Sequence, residues 1–370
     1  MPDSKLEDCL ARAGEKPHNL SPAEVEWLLG LPSSDLPALY QAAYRVKERV
    51  SGRSVSIRGL IEMGNVCAKD CYYCGIRRSN SRVRRYQLDK SDILRLSAWA
   101  YAQGYGSLVI QAGESESEAH TRFIEDLLPE IAALSGGALG VTLSLGEQED
   151  EVFRRWRSAG AHRYLLRIET SSPRLYQALH PADHLYERRR RCLAVLRDLG
   201  YQVGTGVMSG LPGQSRADLA ADIEFFRQMD VDMIGMGPYI PHPDTPLGKD
   251  RELTPEYRSS QLELGLRMIA VTRLYLHDVN LAATTALQAL ADNGREQGLL
   301  AGANVIMPNL TDLEYRRDYQ LYQGKPCLEE SAGQCRGCLE ARVVGVGESI
   351  RWGERGDSLH YQQRFSSPLD

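Results

Sequence analysis

The sequence has no apolar run that reaches the ~20 residues a bilayer-spanning helix needs, so no transmembrane helix and no membrane partner are expected. It also has no basic surplus. Lys and Arg total 44 against 49 Asp and Glu, a net charge of −5, which argues against a nucleic-acid partner held over a broad basic face. No residue type dominates: 42% of the 370 residues are hydrophobic and 25% charged, the balance of a folded globular chain and not of a disordered or fibrous one. The length suits one large domain or two ordinary ones. The first residues, MPDSKLEDCLARAGE, lack the basic-then-apolar order of a secretory signal. A cytoplasmic protein in a reducing compartment is therefore expected, and its cysteines need an explanation other than disulfides.

There are eight cysteines. Cys9 and Cys192 stand alone in helical patterns and read as small buried hydrophobes. The other six form two groups: Cys67, Cys71 and Cys74 in NVCAKDCYYCG, and Cys327, Cys335 and Cys338 in PCLEESAGQCRGC. Short thiol spacings of this kind suit soft metal ions or iron–sulfur clusters, because one loop can then wrap one site. The first group lacks a fourth Cys or His nearby. A structural zinc or an ordinary cluster is closed by four protein ligands, so Cys-x3-Cys-x2-Cys suggests a site left open for a substrate or cofactor. The alternative is a closed zinc site with a distant fourth ligand, for which His242 has the right chemistry.

Along the chain, the first 50 or so residues read as helices, with Ser21 as an N-cap. From Val55 the pattern becomes strand, then helix, repeated. The strands are SVSIRGLIEM, SLVIQAG, LGVTLSLG, HRYLLRIE, YQVGTGVMSG, VDMIGMG, VNLAATT and ANVIM; the helices fall at 90–103, 119–134, 149–159, 185–199, 215–229, 255–275 and 286–299. Eight strands over about 250 residues predict an α/β protein built as a closed (β/α)8 barrel of the TIM type, with an open six-strand sheet as the alternative. The expected organisation is a helical lead-in over 1–52, a barrel over 53–310 and a cysteine-bearing flank over 311–370.

Catalytic groups of such a barrel sit beyond the C-terminal ends of its strands. QAGE ends the second strand with Gly113 and Glu114. Thr142 and Ser144 alternate onto one face of the third. Arg167 and Glu169, two apart, share a face, and two charges facing a barrel interior are costly unless paired or holding a ligand. GTGVMSGLPGQ departs from the dinucleotide-binding glycine pattern and is better read as a turn into the next helix. Met208, Met236 and Met307 at strand ends read first as core filler.

The cysteine loop after a strand resembles the Cys-x3-Cys-x-aromatic-Cys signature of radical S-adenosylmethionine (SAM) enzymes, with Tyr73 as the aromatic. That resemblance implies a [4Fe–4S] cluster on Cys67, Cys71 and Cys74 whose open iron is chelated by SAM. It also implies backbone binding of the SAM amino group by Gly113 and Glu114, with Ala112 replacing the first glycine of the usual motif. NVCAKDCYYCGIRRSN, VTLSLGE, RYLLRIET, GLPGQ, MIGMGPYIPHPDTPL, AATTA and GANVIMPN together resemble the HydE family of [FeFe]-hydrogenase maturases, from about residue 20 to 340.

That family resemblance implies SAM contacts from Ser144, Glu169 and, in the run 188–191, Arg189. It places Thr142, Arg163, Arg167, Thr284, Thr285, Met307 and Tyr319 around the inner cavity. It further implies an optional second iron–sulfur cluster, [2Fe–2S] or [4Fe–4S], on Cys327, Cys335 and Cys338. The implied activity is reductive cleavage of SAM to a 5′-deoxyadenosyl radical that acts on a small-molecule or organometallic substrate, toward the dithiolate bridge of the hydrogenase cluster. Other hydrogenase maturases and an unidentified electron donor are the implied partners. Ile168 departs from the family's His, which keeps a methylornithine-synthase-like mutase or a thiol-directed enzyme as an alternative. A non-catalytic iron–sulfur scaffold is the other.

Overall fold

The computed structural model describes residues 4–366; the outermost residues of the expected lead-in and flank, 1–3 and 367–370, lie outside the described residues. The chain enters through helices Ser4–Glu15, Pro22–Leu29 and Leu36–Ser51. Ser21 caps the second as expected: its hydroxyl accepts the Glu24 N–H, and the Glu24 carboxylate accepts the Ser21 N–H at 2.8 Å. These helices lie against Pro255–Leu276. Every residue of that helix from Gly265 to Leu276 is buried, as befits a helix covered on both sides.

The barrel strands are β1 in two runs (Ser54–Ile57 and Gly59–Gly64), β2 (Ser107–Ala112), β3 (Gly140–Ser144), β4 (Arg163–Leu165), β5 (Gln202–Thr205), β6 (Met233–Ile234), β7 (Asn280–Leu281) and β8 (Val305–Ile306). β1 to β7 bond side by side, all parallel, in chain order. β8 closes the ring: Ser56 pairs with Val305, Ile57 with Ile306 and Leu60 with Asn309, while Ala282 bridges from β7 to Val305. The closed alternative is therefore the one adopted. Parallel strands flanked by helices are buried on both faces, which is why Leu108, Val109 and Ile110 of β2 are all fully buried.

Three features differ from the expectation. The stretch 286–299 is two helices, Thr285–Leu290 and Gly294–Leu300, and they meet where Gly294 lies so close to the Leu287 carbonyl that a Cβ would clash. Pro173–Leu179 and Ala332–Gly345 are additional helices; the second starts from a capping box of Ser331 and Gln334. Finally, the flank, which has no strand or turn predicted from sequence, reaches under the barrel. Ser349–Ile350 pairs with the first run of β1, and the next residues cross the N-terminal end of the strands. There Gly356 O accepts from Asn280 (2.9 Å) and Arg58 (3.1 Å), and Asp357 bonds Gln202 (2.8 Å) and Arg163. This floor leaves the C-terminal ends of the strands as the open face.

Candidate active site

The thiol loop leaves the C-terminal end of β1 and is tied down by side chains that accept or donate to its backbone. Asn65, fully buried, donates to the carbonyls of Arg84 (2.8 Å) and Asp318 (2.7 Å) and accepts the Tyr86 N–H (2.9 Å). Arg85 donates to the carbonyls of Asn65, Ile76, Arg77 and Asn80. A guanidinium can hold several carbonyls at once because its donors are fixed in a planar fork. The loop is thus rigid without the help of secondary structure.

Cys67, Cys71 and Cys74 open onto one cavity of about 450 Å³, a size suited to a small-molecule ligand. The Glu114 N–H donates to Cys67 Sγ at 3.3 Å. Gly113 makes that approach possible: a Cβ there would lie 2.7 Å from the Val66 carbonyl carbon and 2.8 Å from Cys67 Cβ. Burial pushes the Cys71 thiol up to about 12 and raises the Cys74 thiol well above its ordinary value, so they stay protonated until a cation takes them as thiolates. Three soft donors with one face open to a cavity fit an iron–sulfur cluster with an open iron. His242 lies beside Gly75 but is not among the cavity-lining residues, and its Nδ1 already accepts the Asp244 N–H.

Beside the loop is a charged shelf. Lys69 Nζ bonds Glu114 (3.1 Å) and Glu147 (3.0 Å); Arg189 Nε bonds Glu147 at 2.5 Å and an Arg189 amino group donates to the Arg167 carbonyl at 2.9 Å. Burial raises the Glu114 carboxyl, whereas at Glu147 the same burial is outweighed by Arg189 and Lys69, which hold it below its ordinary range. Lys69 and Glu147 were not singled out from sequence, although both stand inside quoted segments. A fully buried Glu after a strand was the available signal, visible only once its burial is known.

Arg167 and Glu169 form the expected pair, with Nε to Oε1 at 3.0 Å and an amino group to Oε2 at 3.0 Å. Arg167 also donates to the carbonyls of Gly235 (2.6 Å) and Val207 (3.1 Å). Glu169 has φ of 68°, a left-handed conformation rare outside glycine that gathers at functional sites. It is held by Glu169 N–H to Gly206 O (3.0 Å) and Met208 N–H to Glu169 O (2.9 Å). Ile168 between them is fully buried in the hydrophobic core and does not line the cavity.

Ser144, Tyr73, Thr284, Thr285, Met307 and Tyr319 all line the same cavity. Thr285 Oγ1 meets Tyr322 OH at 2.7 Å, Tyr319 OH accepts from Gln111 at 3.2 Å, and Tyr73 OH lies 3.4 Å from His180 Nε2. Glu62, bonded to Lys325 at 2.5 Å and to Asn309 at 2.9 Å, also faces it; an acid inside an apolar strand was its sequence signal.

Thr142 and Arg163 do not join them. They pair across β3 and β4 at the far end of the barrel, where Arg163 bonds Ser107 (2.6 Å), the Arg355 carbonyl (2.6 Å) and Asp357. Arg163 precedes Arg167 by four residues, roughly 13 Å of extended chain at ~3.3 Å each, so the two arginines serve opposite ends.

The second thiol group gathers in part. Cys327, Cys335 and the carboxylate of Glu330, a residue sequence reading missed, lie within 4.8 Å of one another. Cys338, one turn further along its helix, is exposed and outside that group, though it lines the same cavity. The Cys335 thiol is lowered to about 6, first by a hydrogen bond from Cys327 and then by Arg316, whose guanidinium approaches its sulfur at 3.8 Å. Two thiols and a carboxylate fit a metal-bearing group as donors.

Among the described residues no helix is long and apolar enough to cross a membrane. The Radical SAM superfamily profile matches residues 61–226. The [FeFe] hydrogenase maturase subunit HydE of Thermotoga maritima is 42% identical over 320 residues, covering 86% of this chain and 88% of that protein. The crystal structure of methylornithine synthase aligns with a TM-score of 0.77 at 22% identity, over 94% of this chain and 98% of the other. The maturase HydG from Carboxydothermus hydrogenoformans aligns with 0.77 at 16% identity, over 99% and 83%. At these identities the two structures speak for the fold alone.

Proposed function

The chain belongs to the HydE family of radical SAM enzymes, and from that premise we propose that it acts on the precursor of the [FeFe]-hydrogenase cluster in the cavity described above. The observation that carries this reading is that the three loop thiols and the Arg167–Glu169 pair open onto one cavity. A [4Fe–4S] cluster on Cys67, Cys71 and Cys74 with SAM on its open iron supplies, when bound, reductive cleavage of SAM to methionine and a 5′-deoxyadenosyl radical.

The protein's task in this reading is to hold SAM and substrate in place and keep water out. The backbone at Gly113 and Glu114 receives the amino group of SAM, and Ser144 and Glu169 hold its polar groups. Arg189 braces Glu147 and the carbonyl of Arg167, so it keeps the shelf rigid whether or not it touches SAM. Thr284, Thr285, Met307 and Tyr319 enclose a small-molecule or organometallic substrate, and Tyr73 closes the cavity beside His180. Thr142 and Arg163 take no part in this chemistry; Arg163 anchors the floor. The lead-in of 1–52 braces a barrel over 53–310, and the flank of 311–370 supplies both its floor and the second metal group. Other hydrogenase maturases and an electron donor are the proposed partners. A passive iron–sulfur carrier has no use for a strained, paired Glu169 beside its cluster.

The test is in vitro maturation of an apo-[FeFe]-hydrogenase with the other maturases, SAM and reductant, with and without this protein. Hydrogen evolution that depends on its presence supports the assignment; equal activation without it removes it.

A further inference from the structure

The chemistry of the cavity makes no direct use of His180, yet this imidazole sits against the aromatic residue of the thiol loop. It is 2% exposed and ends helix Pro173–Leu179. The Leu179 carbonyl accepts the Tyr72 N–H at 2.9 Å, which fixes the place of His180 relative to Tyr73. The Tyr73 and His180 rings meet edge to face, 5.5 Å apart at 86°, with Tyr73 OH 3.4 Å from Nε2. The imidazole also stacks on Tyr176 at 4.1 Å.

The direction of the Tyr73 bond follows from the other ring nitrogen. His180 Nδ1 lies 2.8 Å from the Tyr176 carbonyl, which can only accept, so Nδ1 carries the hydrogen. Burial keeps the ring neutral by pulling its pKa down to about 3. A neutral imidazole has one N–H, which leaves Nε2 as a bare acceptor for the tyrosine hydroxyl. The ring of Tyr73 packs on Leu179, Met208, Leu211 and Tyr239, so its surroundings are otherwise mostly apolar. One competing acceptor is within reach of the hydroxyl: the Cys71 sulfur, to which it also acts as a donor. One hydrogen thus faces two acceptors, of which sulfur is the weaker. Hydrogen bonds to cysteine sulfurs help to set the reduction potential of an iron–sulfur cluster, because they stabilise the added negative charge of the reduced state.

We propose that His180 is a positioning residue that holds the Tyr73 hydroxyl away from Cys71 Sγ and so keeps the reduction potential of the loop cluster low. The inference rests on the assignment of a [4Fe–4S] cluster to Cys67, Cys71 and Cys74, and on none of the substrate chemistry.

The experiment is an anaerobic redox titration of the reconstituted full chain, followed by electron paramagnetic resonance. The loop cluster gives the signal that added SAM perturbs, which separates it from any signal of the Cys327 group. His180→Phe keeps an aromatic ring against Tyr176 but removes Nε2, so the hydroxyl turns to the sulfur. The reduction equilibrium should then shift about tenfold toward the reduced cluster, or about 59 mV for one electron. Tyr73→Phe should leave the potential at the parent value, and the double variant should return to it. A merely structural role for His180 would move the single and double variants alike. An unmoved potential in His180→Phe, or a rise that persists in the double variant, overturns the proposal. So does a fall in Tyr73→Phe alone, which would place the hydroxyl on the sulfur already. If His180→Phe does not fold, His180→Leu takes its place with the same expected rise. A loop that takes up no cluster removes the assignment itself, whereas an intact cluster with an unmoved potential removes only the role of His180.

Discussion

Gly113→Ala tests whether the close approach of β2 to the thiol loop positions the cluster ligands. The new Cβ would stand 2.7 Å from the Val66 carbonyl carbon and 2.8 Å from Cys67 Cβ, whereas ordinary contact begins at 3.4 Å. Neither neighbour is the free end of a flexible side chain, so loop and strand must separate by at least 0.7 Å. The loop cannot yield elsewhere, because Arg85 and Asn65 hold its backbone on the other side. Overpacking of this kind costs about 1–3 kcal/mol, which a barrel of this size survives. A misplacement near 1 Å costs roughly 100-fold where reacting groups must align. The expected result is a folded barrel by circular dichroism, with 5′-deoxyadenosine release from SAM reduced about 10- to 100-fold and the Glu114 N–H to Cys67 hydrogen bond lost. Release and iron content equal to the parent protein would refute the reasoning, since the strand end and the loop would then have room that the geometry denies them.

Asp357→Ala leaves Arg163, 2% exposed as a side chain, without its carboxylate. Breaking such a pair costs about 3–5 kcal/mol when fully buried, and because Asp357 is 25% exposed a loss of about 2–3 kcal/mol is expected in urea unfolding; an unchanged midpoint would mean the floor does not depend on this pair. SAM cleavage by the variant at low temperature should stay near the parent rate, and its abolition would return Arg163 to the cavity chemistry. His360 bonds Asp230 (2.7 Å) and Asp278 (3.2 Å), and these bonds raise its pKa to about 10. Raised above an unfolded value near 6.5, it contributes stability fully below about pH 6.5 and loses it as pH climbs toward 10. His360→Gln should therefore cost most at pH 6 and least at pH 10; a cost that grows with pH would reverse the assignment.

The barrel was legible because its strands are short apolar runs between amphipathic helices, a pattern carried by neighbours in the chain. The thiol loop was legible for the same reason: its three ligands fall within eight residues. What could not be read depends on pairings remote in sequence. The floor, residues 349–358, has no periodicity of its own and takes its shape from Arg58, between the two runs of β1, and from Arg163, Gln202 and Asn280 at the starts of their strands. Arg163 looks like a second cavity arginine until its partner, 194 residues away, is seen. Glu147 likewise needs Lys69 and Arg189, 78 and 42 residues distant, to become part of a shelf. At the second thiol group, Cys335 and Cys338 stand three apart on a helix, while Cys327 reaches Cys335 through a left-handed turn with φ of 62°. That turn brings Glu330, and not Cys338, into the group.

The central claim is that Cys67, Cys71 and Cys74 hold a cluster that cleaves SAM. Its most direct measurement is 5′-deoxyadenosine released when the anaerobically reconstituted full chain is mixed with dithionite and SAM, beside the same chain carrying Cys71→Ala. The account predicts release from the first and none from the second, with iron at the Cys327 group retained in both. Equal release from the two proteins would contradict it.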